Sequence, residues 1–228
     1  MAFRIKLYFS QIREHLHRDL EGHPLALEAL DHLMEDLLKK RLEGQALSEE
    51  ELYRILHAME FAAEKHKKQT RRNIEKTPYI THPLHVARHI LITGHIYDAD
   101  ILMAALLHDT VEDTETTLDE LRNLFGYRVE QLVAELTDEK DLTKEERKKQ
   151  QIQKAQTRSS DAALIILADK LSNLMDLMEH PPAGWELARI DDYFLWAQQV
   201  IRLLPEANPY LRNAVDEVID AYWRRQIE

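Results

Sequence analysis

The chain has 228 residues, 44% of them hydrophobic, with 5 Gly, 7 Pro and a formal net charge of −11. Such a length and apolar content bury a substantial core and exclude a disordered chain, while the acidity excludes a general nucleic-acid binder, which needs a broad basic surface. The absence of cysteine removes disulfide and thiolate chemistry. No apolar run approaches the roughly 18 residues of a membrane span, and Phe3-Arg4-Ile5-Lys6 is amphipathic rather than signal-like, so a cytoplasmic protein is expected.

Long periodic stretches rich in Leu, Ala, Glu and Lys, with few breakers, predict an all-α protein. Residues 1–20 carry Ile5, Phe9, Ile12, Leu16 and Leu20 at helical spacing, until Gly22 and Pro24 interrupt it. From Pro24 a second helix places Leu27, Leu30, Met34, Leu37 and Leu38 on one side and closes near Gly44. The hairpin holds no polar constellation. Residues 1–46 are therefore expected to form a helical extension that covers the main domain, 47–228, or builds a homo-oligomer, and to stay out of the chemistry. Ser48-Glu49-Glu50-Glu51 is a capping box that starts a helix with Leu52, Ile55, Leu56, Met59 and Ala63 inward. Lys65, Lys67, Lys68, Arg71 and Arg72 follow; alone, such a run is a solvated helix end matched to the dipole.

Thr77 to Pro83 reads as an extended segment entering a helix whose first turn holds Pro83, which puts His82 at or near the cap, pointing away from the core. His85 and His89 share a helix face with no acid between them and read as packing or surface residues. Asp98 caps the next helix, which runs into Ala104-Ala105-Leu106-Leu107-His108-Asp109-Thr110-Val111-Glu112-Asp113-Thr114. Where an apolar helix ends, His108 and Asp109 can turn to one cation, and imidazole with carboxylate suits a borderline divalent metal. Glu112 and Asp113, one turn on, stand beside that pair as acids able to orient water.

Thr117-Leu118-Asp119-Glu120 is a further capping box, Gly126 ends its helix, and 127–137 is helical with Val129, Leu132, Val133 and Leu136 inward. Residues 138–158 are the most polar part, a charged helix capped at Thr143 and read as a mobile flap. An apolar helix from Ser160 leads directly to Asp169, a carboxylate that wants a metal or another cation, with Asn173 on its face. Beyond Pro181-Pro182, helices are predicted over 185–204 and 210–225.

The order His82, His108-Asp109, Asp169 resembles the signature of the HD metal-dependent phosphohydrolases. The words Tyr79-Ile80-Thr81-His82-Pro83, Ala105 to Thr114 and Leu167-Ala168-Asp169-Lys170-Leu171-Ser172-Asn173-Leu174 are more specific. They resemble the hydrolase domain of RelA/SpoT homologues, above all the stand-alone small alarmone hydrolases, over roughly residues 50–200. The resemblance implies an all-α HD fold and Mn²⁺-dependent removal of the 3′-pyrophosphate of guanosine 3′,5′-bispyrophosphate, giving GDP or GTP. It makes His82, His108, Asp109 and Asp169 metal ligands, and Glu112 and Asp113 the pair that activates water. It also places Arg71, with Arg72 beside it, on the phosphates, and Tyr79, Asn173 and Tyr193 around the nucleotide; Lys148 and Lys149 would reach the pyrophosphate. At Asn73-Ile74-Glu75-Lys76 the chain departs from the Gly-containing turn of the relatives. Two rival readings share the site: a phosphatase for NADPH or adenosine alarmones, and a sensor that binds alarmone without cleaving it. The sensor is expected to have lost a ligand or an acid, and here each matching residue is present. Neither nucleic acid nor membrane is an expected partner.

Overall fold

The computed structural model describes residues 2–44 and 47–226, with backbone alone for 2–6. The side chain of Ile5 and residue 46, the expected end of the extension, lie outside the described residues. The fold is all-α: α1 (Ala2–Asp19), α2 (Pro24–Leu42), α3 (Glu49–His66), α4 (Thr81–Arg88), α5 (Ala99–Leu107), α6 (Thr110–Asp113), α7 (Leu118–Phe125), α8 (Tyr127–Leu136), α9 (Lys144–Lys154), α10 (Ser160–Glu179), α11 (Leu187–Leu203) and α12 (Pro209–Arg225). A wider π-helical turn, His89–Thr93, continues α4. No strand forms among the described residues beyond an isolated bridge between Thr70 and Pro78. No described helix is long and apolar enough to cross a membrane.

Local signals explain the helix starts. Ser48 Oγ accepts from Glu51 N–H at 3.1 Å, and the Glu51 carboxylate accepts from Ser48 N–H at 2.6 Å, closing the box that opens α3. Asp98 caps α5 by accepting from the N–H groups of Asp100 and Ile101. The box expected at Thr117 is only half made. Thr117 accepts from Glu120 N–H, but the Glu120 carboxylate turns instead to Lys65 Nζ, 3.1 Å away.

Helix α5 is the centre of the molecule. Apart from Asp100, every residue from Ala99 to Leu107 is buried, and α3, α4, α8 and α10 pack around it. A helix apolar on all sides must be covered on all sides, and its far end is where its first polar residues emerge. The N-terminal hairpin joins this same core through Phe9, Ile12 and Leu16 of α1 and Ala26, Leu30, Leu33 and Leu37 of α2. Helix α2 lies against α4, where Arg88 Nε donates to Asp36 Oδ2 at 2.7 Å; Arg13 of α1 donates to Asp31 of α2 at the same distance.

One close approach permits only glycine. A Cβ on Gly94 would stand 2.8 Å from Ile90 O and 3.1 Å from Leu211 Cδ1. Asn208, the cap of α12, also donates to the Gly94 carbonyl at 2.8 Å. Gly94→Ala is expected to destabilise by about 1–3 kcal/mol, read as a fall in Tm of roughly 2–4 °C per kcal/mol for a chain of this size. An unchanged Tm would show that α12 shifts aside at no cost.

Candidate active site

Three helices bring the ligand-type residues together. His82 was expected at the cap and pointing outward, but it is the second residue of α4 and only 2% exposed. The chain turns earlier than its prolines suggest, since Thr81 N–H donates to Pro78 O and His82 N–H to Tyr79 O, which carries the ring inward. Thr110 Oγ1 donates to Leu107 O at 2.7 Å where α5 ends, leaving His108 and Asp109 at the break before α6. The Nδ1–H of His108 donates to Ala105 O at 2.8 Å, which aims Nε2 at the centre. That Nε2 is buried and makes no well-directed hydrogen bond, its near neighbour Asp109 Oδ2 standing 3.1 Å away. One atom each from His82, His108 and Asp109 lies within 4.8 Å of the others. Asp169 lies within α10, which continues to Glu179 and carries Asn173 one turn on. Its Oδ1 stands 3.1 Å from His82 Nε2 and 3.9 Å from His108 Nε2; Asp109 Oδ2 is 3.8 Å and 3.1 Å from the same nitrogens.

The electrostatics of this cluster call for positive charge. Burial alone would pull the His108 pKa down, yet the charges of Asp109 and Asp169 more than reverse this, to about 9. Burial would raise Asp169, but Lys170, His82 and His108 hold it well below the usual carboxylate range, and the two histidines lower Asp109 likewise. A buried imidazole nitrogen without a well-directed hydrogen bond, a second imidazole and two carboxylates converging on one point fit a borderline divalent cation. Outer partners fix these groups: Tyr79 donates to Asp109 Oδ2 at 2.6 Å, Asn173 to Asp169 Oδ1 at 2.7 Å and Lys170 to Asp169 Oδ2 at 3.0 Å, while Ser172 Oγ lies 3.2 Å from His82 Nδ1.

The cluster lies between two cavities. The larger, about 590 Å³, is lined among others by Arg71, Arg72, Tyr79, His82, Asp113, Asn173 and Tyr193. Arg71 donates to Asn173 Oδ1 at 2.9 Å and to Asp176 Oδ2 at 2.6 Å, and its guanidinium stands 5.7 Å over the Tyr79 ring. The turn after Arg71 and Arg72 closes without glycine. The Asn73 side chain bonds Thr77 twice, and Lys76 takes the left-handed conformation at φ +51, so that Arg71 N–H reaches Thr77 O at 2.7 Å.

The flap departs from expectation. Lys144, at the first turn of α9, lines the large cavity. Lys148 instead stacks 5.2 Å from the Trp196 ring and 5.8 Å from Tyr193, and Lys149 is exposed and outside the lining. Burial lowers the Lys144 pKa, and the neighbouring charges of Arg72, Arg189 and Lys148 lower it further. Glu145 opposes the shift but does not reverse it, and a crowd of cations of this kind suits an anion. Nor was the extension expected here, yet Leu25, Glu28, Ala29 and His32 of α2 form part of the cavity wall.

The smaller cavity, about 80 Å³, is lined by His108, Asp109, Glu112, Gln151, Arg158, Asp169 and Lys170 among others. Glu112 accepts from Arg147 of α9 and, more weakly, from Asp138 N–H at 3.3 Å. Glu112 and Asp113, adjacent in sequence, thus line different cavities. Burial raises the pKa of both carboxyls, with Asp138 and Asp109 adding to the effect on Glu112 and Asp109 to that on Asp113. Helix α9 has no buried residue but is tied down through Arg147, through Gln151 to Asp138 and through Trp196 Nε1 to Lys148 O. Arg147 escaped the sequence reading; the signal was that a carboxylate in a buried cluster needs a cationic partner.

Residues 58–192 match the family model of the HD domain. Over 170 residues the chain is 48% identical to the Mus musculus protein named guanosine-3′,5′-bis(diphosphate) 3′-pyrophosphohydrolase MESH1, a match covering 75% of this chain and 95% of that protein. The Homo sapiens protein of the same name is 49% identical over 165 residues, covering 72% of this chain and 92% of its own length. A solved structure, described as a metazoan orthologue of SpoT that hydrolyses ppGpp and plays a role in starvation responses, is similar at a TM-score of 0.72 and 42% identity. That match covers 74% of this chain and 95% of the solved one.

Proposed function

The chain belongs to the HD-domain family and, within it, to the MESH1-type pyrophosphohydrolases, and on that premise we propose that it removes the 3′-pyrophosphate of guanosine 3′,5′-bispyrophosphate by hydrolysis. The observation that carries this reading is the His–Asp cluster beside a nucleotide-sized cavity whose wall holds Arg71, paired with Asp176, together with Arg72 and Lys144. His82, His108, Asp109 and Asp169 would hold a divalent cation, which supplies polarisation of a phosphoryl oxygen and acidification of a water. Their two imidazoles favour Mn²⁺ over Mg²⁺, which prefers oxygen ligands and keeps its waters.

Water attacks the phosphorus attached to the ribose 3′-oxygen. The new O–P bond forms as the bond from phosphorus to that oxygen breaks, giving pyrophosphate and a nucleoside 5′-diphosphate with a free 3′-hydroxyl. Entering and leaving oxygens lie on opposite sides of phosphorus, and the two carboxyls line different cavities. Glu112, in the small cavity, takes the proton of the water. Asp113, in the large cavity with the nucleoside, gives a proton to the ribose oxygen. Burial raises both pKa values, which strengthens the base and keeps the acid protonated closer to neutrality. Arg71, already fixed by Asn173 and Asp176, offers its remaining N–H donors to the phosphates, with Arg72 and Lys144 adding charge.

Arg147 holds the base in position. Arg147→Ala is expected to lower kcat by about 10–100-fold through misplacement of Glu112, with KM nearly unchanged and part of the loss restored by Arg147→Lys. An unaltered kcat would remove Arg147 from the mechanism.

The function itself is tested by turnover on guanosine and adenosine alarmones, NADPH and a generic phosphomonoester, in Mn²⁺ after stringent chelation. Fastest release of pyrophosphate and GDP from the guanosine alarmone is expected, with Mg²⁺ supporting much less. Faster turnover of NADPH or of the adenosine compound would assign the site to another nucleotide. Tight alarmone binding by metal-loaded protein without cleavage would make it a sensor.

A further inference from the structure

Helix α2 ends at Leu42, before the HD-domain match begins at residue 58. It nevertheless supplies Leu25, Glu28, Ala29 and His32 to the wall of the large cavity. Their spacing of i, i+3, i+4 and i+7 makes one continuous stripe along the helix. The stripe is held in place, because the neighbouring face of α2 (Ala26, Leu30, Leu33, Leu37) is buried in the core and Asp36 is bonded to Arg88 of α4, the helix that carries His82.

Charge decides what this wall meets. Arg71 is linked to the ligand cluster through Asn173, so the phosphates of a polyanionic substrate are drawn to that end, with Arg72 and Lys144. Of the acids in the lining, Asp176 is paired with Arg71, Asp113 lies next to the cluster and Glu179 is on α10. Glu28 is the one that α2 contributes; its carboxylate, unpaired among the described residues, repels phosphate and is left for the other half of the nucleotide. The apolar Leu25 beside it and Trp185 in the same lining offer surface to the faces of a purine. At the edge of the base, guanine presents two adjacent N–H donors, N1 and N2, which one carboxylate accepts together. Adenine presents an acceptor at N1 and so opposes a carboxylate oxygen.

We propose that α2 is a recognition wall of the substrate cavity, in which Glu28, with His32 one turn on, binds the edge of guanine and sets the preference for guanosine over adenosine alarmone. This rests on the proposed hydrolysis of the guanosine compound. It gives the N-terminal hairpin a part in specificity that the HD-domain region alone does not contain.

The test is steady-state kinetics of the full chain with guanosine and adenosine 3′,5′-bispyrophosphates in Mn²⁺. Glu28→Ala and His32→Ala are compared with Glu35→Ala; all three positions of α2 are exposed, and of them Glu35 alone lies outside the cavity lining. Glu28→Ala is expected to raise KM for the guanosine compound roughly tenfold to a hundredfold, the loss of a hydrogen bond to a charged group. Its kcat stays within about twofold, its KM for the adenosine compound does not rise, and Glu35→Ala changes neither. The sign is diagnostic: a carboxylate that merely stands near a polyanion repels it, so its removal would lower KM for both compounds. That result, or an unchanged KM with turnover intact, overturns the recognition role alone. A wild-type chain that cleaves neither alarmone overturns the proposed function, and this inference with it.

Discussion

Asp169→Asn is expected to empty the cation site and abolish turnover together. The Asp169 carboxylate faces His82 Nε2 at 3.1 Å while accepting from Asn173 and Lys170. A carboxamide keeps one acceptor oxygen, but it loses the charge and turns an N–H₂ group towards a neighbour that needs an acceptor. Changes to outer partners of a metal site typically cost about 10–100-fold in affinity or activity; loss of a ligand should exceed that range. Lys170, 5% exposed, would also lose its carboxylate partner. A cost on the order of 3 kcal/mol in stability follows, so circular dichroism must accompany the assay. Elemental analysis of the folded variant decides the matter. Stoichiometric metal in Asp169→Asn, or in Asp109→Asn, would remove these residues from the ligand set.

Glu112→Gln and Asp113→Asn are expected to keep the cation and still lose about 10²–10⁴ in kcat, the usual range for loss of a general base or acid. The two should then separate by leaving group. An analogue that expels nitrophenolate needs no proton on departure, so Asp113→Asn should recover most of its loss on that substrate. Glu112→Gln should not, because the water still has to be deprotonated. Affinity for uncleaved alarmone should hold or rise in both variants, since each removes a negative charge near an anionic ligand; calorimetry on the inactive proteins reads this. Equal behaviour on both substrates would dissolve the division between base and acid. Loss of metal from both variants would make these acids ligands.

Much of this centre was legible because the residues that build it also punctuate helices. Residues 99–107 are so apolar that α5 had to be buried, and the first polar residues after it, His108 and Asp109, had to emerge inside the molecule. Ser48 with Glu51 marked the start of α3 through side chains that need nothing distant. The inward turn of His82 was hidden, since Pro78 and Pro83 suggest a cap while the turn actually closes at Tyr79. Helix α9 and its cap at Thr143 were legible, but its rotation was hidden for another reason. With no buried residue it has no apolar stripe to fix its rotation, so tertiary partners decide which cation faces the cavity. Glu112 takes Arg147, Trp196 takes Lys148, and Lys144 is left to the substrate side. The cavity stripe of α2 reads as an ordinary solvent flank of an amphipathic helix, because nothing local distinguishes a cavity wall from a surface.

Anomalous scattering at the manganese edge, from crystals of the full chain grown with Mn²⁺, tests the central assignment most directly. One well-occupied peak is expected, within coordination distance of His82 Nε2, His108 Nε2, Asp109 and Asp169. A peak elsewhere, or none in crystals of protein that cleaves the alarmone, would contradict it.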